Sequence, residues 1–209
     1  MISAWRFRTG PATHMLVVWI GLGVLASACY GRSEACTLSP DHAGLTFPVE
    51  PVDPVWTCAL QAIIQSYTTA SKVGPIRTAL SESMYRHLLD HPPFTADMIR
   101  RLHLGLYRAE TRSPGRFWGD DGEGTKGIVE LVYEDATSRI YFLEGTHESR
   151  LLPRVTGKAA VFLRTVVKRD VNGNESTDST LVAYTKLDNR FLSGVASLLH
   201  PLVSKIVTT

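Results

Sequence analysis

Between Tyr107 and Leu187 the apolar residues recur mainly at every second position, and this change from helical to alternating period limits the possible folds more than any other feature. The alternation falls into runs at Tyr107 to Thr111, Arg116 to Gly119, Gly127 to Glu134, Arg139 to His147, Gly157 to Lys168 and Ser179 to Leu187. Turn residues separate them: the glycine-rich Gly119-Asp120-Asp121-Gly122-Glu123-Gly124, Glu134-Asp135-Ala136-Thr137, and Asn172-Gly173-Asn174. Connections this short join antiparallel neighbours. The runs therefore predict a meander of hairpins and exclude βαβ units, whose crossovers need a dozen or more residues.

Upstream the period is helical. Leu45 to Val49 reads as a first strand, and Asp53-Pro54 then supplies an N-cap and a proline for the first turn. Trp56, Leu60, Ile63 and Ile64 form one face of the helix that follows. Gly74-Pro75 interrupts the pattern, and a second helix is expected from Ile76 to Leu89, stopped by His91-Pro92-Pro93. A third starts at Thr95 and closes at Gly105. At the other end, Asp188 or Asn189 caps a long helix in which Phe191, Leu192, Val195, Leu198, Leu199, Leu202, Val203 and Ile206 share one face, with Pro201 kinking it.

The first 28 residues read as a separate targeting segment. Arg6 and Arg8 precede an apolar run from Met15 to Leu25, too short for the roughly 20 residues of a membrane-spanning helix. Ala26-Ser27-Ala28 then offers the small residues a signal peptidase requires. Leu25-Ala26-Ser27-Ala28-Cys29 resembles the lipobox of bacterial lipoproteins, with Ala26 where leucine is usual. The resemblance implies acylation of Cys29 and a chain held at the periplasmic face of a membrane in the cell envelope. Tyr30 in place of an aspartate after that cysteine points, by analogy with lipoprotein sorting, to the outer membrane. Simple cleavage after Ala28 would instead release a secreted protein. With Cys29 lipidated, Cys36 and Cys58 are left as an even pair able to form a disulfide, the other reading being a buried Cys58 and a free Cys36. Residues 29–44, rich in polar residues, read as a tether, and 45–209 as one domain.

The element order suggests an α+β protein in which a curved antiparallel sheet wraps a long C-terminal helix, with extra helices near the N-terminus. Pro51-Val52-Asp53-Pro54-Val55-Trp56 and the strand-plus-helix from Leu181 to Ile206 resemble the START-like superfamily, the polyketide cyclase-like helix-grip group. That resemblance implies a cavity between sheet and C-terminal helix that binds or carries a lipid-like or other apolar small molecule. Some members use the cavity for enzymatic cyclisation, so the fold alone does not choose a function.

The chemical motifs are few. No P-loop, GxGxxG, GxSxG, HExxH or paired CxxC occurs, so no cofactor or metal is expected. A net charge of +2 gives no electrostatic case for nucleic acid. Alternation places Glu144 on a face with Ile140, Phe142 and Thr146, where a carboxylate among apolar neighbours must be paired, hydrogen-bonded or protonated. Arg164, on a face with Ala160, Phe162 and Val166, is a candidate partner for it, and the favoured alternative is an ion pair at an exposed rim. Trp56, Phe94, Trp118, Tyr133, Tyr141, Phe142 and Phe162 are candidates for lining a pocket, the competing role for each being ordinary core. If the protein is an enzyme, Glu144 or His147 is the acid or base. If it is an interaction protein without a cavity, bulky side chains should fill the space beside the sheet.

Overall fold

The computed structural model describes residues 35–148 and 154–188. A short hairpin of β1 (Asp41–His42) and β2 (Leu45–Thr46) leads into helix α1 (Pro54–Ile64), strand β3 (Thr69–Thr78) and helices α2 (Glu82–Asp90) and α3 (Pro92–Arg101). Six strands follow: β4 (Arg108–Ser113), β5 (Arg116–Asp120), β6 (Thr125–Glu134), β7 (Ser138–His147), β8 (Val155–Arg169) and β9 (Glu175–Leu187). Seven strands make one antiparallel sheet in the order β3-β9-β8-β7-β6-β5-β4. The meander expected from alternation is β4 to β9, and β3 joins it at the far edge, against the last strand.

Local chemistry sets the helix starts. The Asp53 side chain accepts the Val55 N–H at 2.8 Å, with Pro54 in the first turn of α1, and Ser81 Oγ caps α2 by accepting from Met84 N at 3.3 Å. His91 ends α2 and begins α3, whose first turn uses Pro92 and Pro93, where a missing N–H costs nothing.

Alternation along the strands gives the sheet two different faces. One carries Ile140, Phe142, Ala160, Phe162 and Val182 and is packed shut by Leu60 and Ile63 of α1 together with Phe47, Val49 and Val52. Phe162 and Leu60 have no exposed surface, and each such side chain contributes roughly 1.5–3 kcal/mol by burial. His42 lies in this layer, its ring stacked on Phe162 at 3.9 Å and its Nδ1 3.3 Å from the Tyr184 hydroxyl. A disulfide joins Cys36 to Cys58 and so ties the segment before the hairpin to α1. The other face carries Val129, Tyr141, Leu143 and Ala159 and looks toward α2 and α3.

Several expectations are corrected here. The described residues are mostly sheet, with a seven-stranded sheet, a two-stranded hairpin and three helices of 11, 9 and 10 residues, and no long helix among them. The α+β helix-grip arrangement is therefore replaced: within these residues the elements beside the hollow face are the short α2 and α3. The helix read from Phe191 to Ile206 lies outside the described residues. The helix expected from Ile76 is displaced because Gly74-Pro75, read as a breaker, is a bulge inside β3, where the register with β9 shifts between Val73 and Ile76. Gly74 has φ +111°, and a Cβ there would meet the Ser179 carbonyl oxygen at 2.5 Å. Residues 35–44, read as tether, belong to the packed domain, since His42 is buried and Leu38 packs on the core. The strand read from Leu45 to Val49 shortens to Leu45–Thr46, and Phe47 and Val49 are core plugs beyond it.

Candidate functional site

Between α2, α3 and the second face of the sheet lies a cavity of about 670 Å³ with a mainly apolar lining. Leu88 and Leu89 of α2 and Pro92, Ala96 and Ile99 of α3 form its roof, and Phe117, Val129, Tyr141, Leu143 and Ala159 contribute from the sheet. The reason this space stays open is a row of small residues running across the strands. Ala109 pairs with Gly119, Gly119 with Gly127, Gly127 with Gly145, and Gly145 with Gly157. Five neighbouring strands thus lay nearly bare backbone under the cavity. The strands also close up there: a Cβ on Gly127 would lie 2.5 Å from the Glu144 carbonyl oxygen and 2.8 Å from the Gly145 Cα. Real Cβ atoms do not approach so closely, so the glycines are needed for the shape of the floor as well as its depth.

Polar groups sit at two places along the lining. Tyr141 lies beside Arg139, a buried guanidinium that holds Asp90 at the end of α2 and Glu134 at 3.3 Å. Burial pushes the Tyr141 hydroxyl above its ordinary range, so it stays neutral and able to donate. Elsewhere, Thr125 Oγ1 lies 3.0 Å from His147 Nδ1. Burial would raise the Asp121 carboxyl. The Thr125 hydroxyl and the backbone N–H groups of Thr125 and Glu123 outweigh that and hold it below the usual carboxylate range, with His147 adding a smaller effect. Thr125 thus links Asp121, through its backbone N–H, to His147, through its hydroxyl.

The residues singled out from sequence divide between the two faces. Tyr141 and His147 lie on the cavity face, whereas Trp118 and Glu144 border the cavity from strand positions that register places on the opposite face. Trp56, Tyr133, Phe142 and Phe162 do not border it: Trp56 packs on Phe142 with ring centroids 5.2 Å apart, Tyr133 packs against the same core, and Phe162 is its centre. Phe94 is half exposed on α3 beside His87. The candidate Glu144–Arg164 pair does not form, and the favoured rim ion pair does. Glu144 is 59 % exposed and meets Lys158 at 3.7 Å, whereas Arg164 donates to Thr137 Oγ1 at 3.1 Å and lies over the Phe47 ring. Alternation was right that Ile140, Phe142 and Glu144 share a face, but that face is the one α1 fills. Glu144 falls at its exposed end, in a rim ion pair worth about 0–1 kcal/mol.

Sequence reasoning missed Phe117, Leu143, Ala159 and the leucines of α2 as lining residues. It also missed the glycine row, whose members lie 8, 18 and 12 residues apart and meet only through strand register. Among the described residues no three metal-binding side chains converge. Compared with known proteins, the chain matches no family model and no curated protein sequence.

Proposed function

We propose that this domain binds or carries a lipid-like or other apolar small molecule in the cavity beneath α2 and α3, on a chain anchored in the cell envelope through an acylated Cys29. The glycine row under an apolar space of about 670 Å³ carries this reading. Four strands give up side chains at one level, which forfeits packing and favours a vacancy large enough for a drug-sized or acyl-chain ligand. Apolar burial supplies affinity, and Tyr141 and His147 are placed to orient a polar group. The START-like resemblance that suggests such a ligand rests on the Pro51 to Trp56 segment.

An enzymatic use of the same cavity would draw on His147, which lines it, and not on Glu144, which is engaged with Lys158. The test is native mass spectrometry of the secreted, detergent-free protein before and after incubation with an envelope lipid extract, beside the variant Ala159→Phe. Ala159 faces the cavity floor, and phenylalanine there occupies it. A stoichiometric apolar adduct on the wild type that Ala159→Phe loses while remaining folded supports the reading. A wild-type mass that stays free of adducts overturns it.

A further inference from the structure

Between α3 and β4 the residues 102–107 expose Leu102 at 59 %, Leu104 at 72 %, Leu106 at 64 % and Tyr107 at 44 %. Elsewhere among the described residues exposed large apolar side chains occur singly, which is ordinary for a protein surface, whereas a concentrated patch marks a contact. The turn is ordered by its own backbone: His103 N–H bonds to the Arg100 carbonyl at 3.1 Å and Leu104 N–H to the Ile99 carbonyl at 3.0 Å. Its leucines are therefore held outward by a hydrogen-bonded structure.

Cations flank the patch on both sides, and the Asp120-Asp121-Gly122-Glu123 loop that abuts Leu106 brings carboxylates that balance them. Arg100 and Arg101 share the single carboxylate of Asp97, each at 2.6 Å, so that trio keeps one positive charge. Arg108 begins the next strand, and Lys126 lies across from it, with Asp120 between them in register. The patch is also continuous with the cavity, because Ile99 and Tyr107 line it, while Leu104 and Leu106 border an adjoining hollow that shares Arg108, Asp120 and Lys126 with it. Apolar tips, an interfacial tyrosine and flanking arginines are the combination that suits a lipid–water boundary, where leucine enters the acyl region while Tyr and Arg stay at headgroup level. We propose that the 102–107 turn is a bilayer-docking element, inserting Leu102, Leu104 and Leu106 into a phospholipid membrane and setting the cavity beside it. This holds whatever the cavity carries.

The test uses the full chain on vesicles of phosphatidylcholine and phosphatidylglycerol. An environment-sensitive fluorophore is attached at Leu104→Cys or, as a control in the β8–β9 turn, at the fully exposed Val171→Cys, with Cys29→Ser leaving no other cysteine outside the Cys36–Cys58 disulfide. Docking by this turn predicts a blue shift at position 104 and quenching by nitroxides on the acyl chains, neither of them at position 171, and loss of both in the Leu102→Ser, Leu106→Ser background. A fluorophore at 104 that stays water-like on vesicles overturns the proposal. So does shielding that needs no vesicles and grows with protein concentration, which assigns the patch to a second copy of the chain.

Discussion

The two faces of the sheet share strands and alternation, yet the one under α1 is filled with phenylalanine and isoleucine while the one beside α2 and α3 is floored with glycine and alanine. On the first face side chains interlock and helix and sheet are in direct contact, whereas on the second they are held apart. The difference shows how a single sheet can divide its work. One side supplies the stability that lets the other side remain hollow, since large side chains packed to crystal-like density offset what the open side forgoes.

The contrast can be broken most forcefully at its centre. Phe162→Ala removes a fully buried ring from the packed face and should cost about 3–5 kcal/mol in denaturant unfolding. Leu143→Ala, on a strand that pairs with the same β8 but at the edge of existing space, should cost only about 1 kcal/mol. Equal losses would mean the second face is as well packed as the first. Next in size is the double change Cys36→Ser, Cys58→Ser, which opens a loop of 22-residue separation on the packed side and should lower stability by about 3 kcal/mol while leaving adduct binding intact.

A smaller effect comes from His42. Burial lowers its pKa and holds the ring neutral, with Asp41 and the hydroxyl of Tyr184 as the nearest polar side chains. On acidification the unfolded chain takes up a proton at the ordinary value near 6.5 before the folded chain does. The contribution of His42 is thus complete above about pH 6.5 and is lost as pH falls below it. His42→Phe should flatten that part of the curve of unfolding midpoint against pH, and a curve unchanged by the substitution would refute the assignment. Least of all, Glu144→Gln should alter stability by about 0.5 kcal/mol and leave adduct binding unchanged, because its carboxylate serves only an exposed pair with Lys158.

Much of the local structure was legible. Alternation located β4 to β9 to within a few residues, and the Asp53-Pro54 signal located α1. Three things were not. The strand β3 was hidden because Gly74-Pro75 is a breaker in a helix and a bulge in a strand, and only its partner β9 decides between them. Which face would be filled was also out of reach, since Phe142 and Tyr141 are neighbours of similar character and the position of α1 makes one core and the other cavity wall. The glycine row shares that cause: each glycine looks like a loosened strand until register lines up all four.

The pairing of β3 with β9 also has a kinetic side. Arg77 reaches Asp178 across 101 residues of chain as β3 joins the sheet at its far edge. Contacts of such sequence separation form late and slow the search for the native state. Until the last strand arrives, β8 presents an open edge and β3 has no sheet to join, so the emerging chain is vulnerable to misplaced pairing for almost the whole of its synthesis.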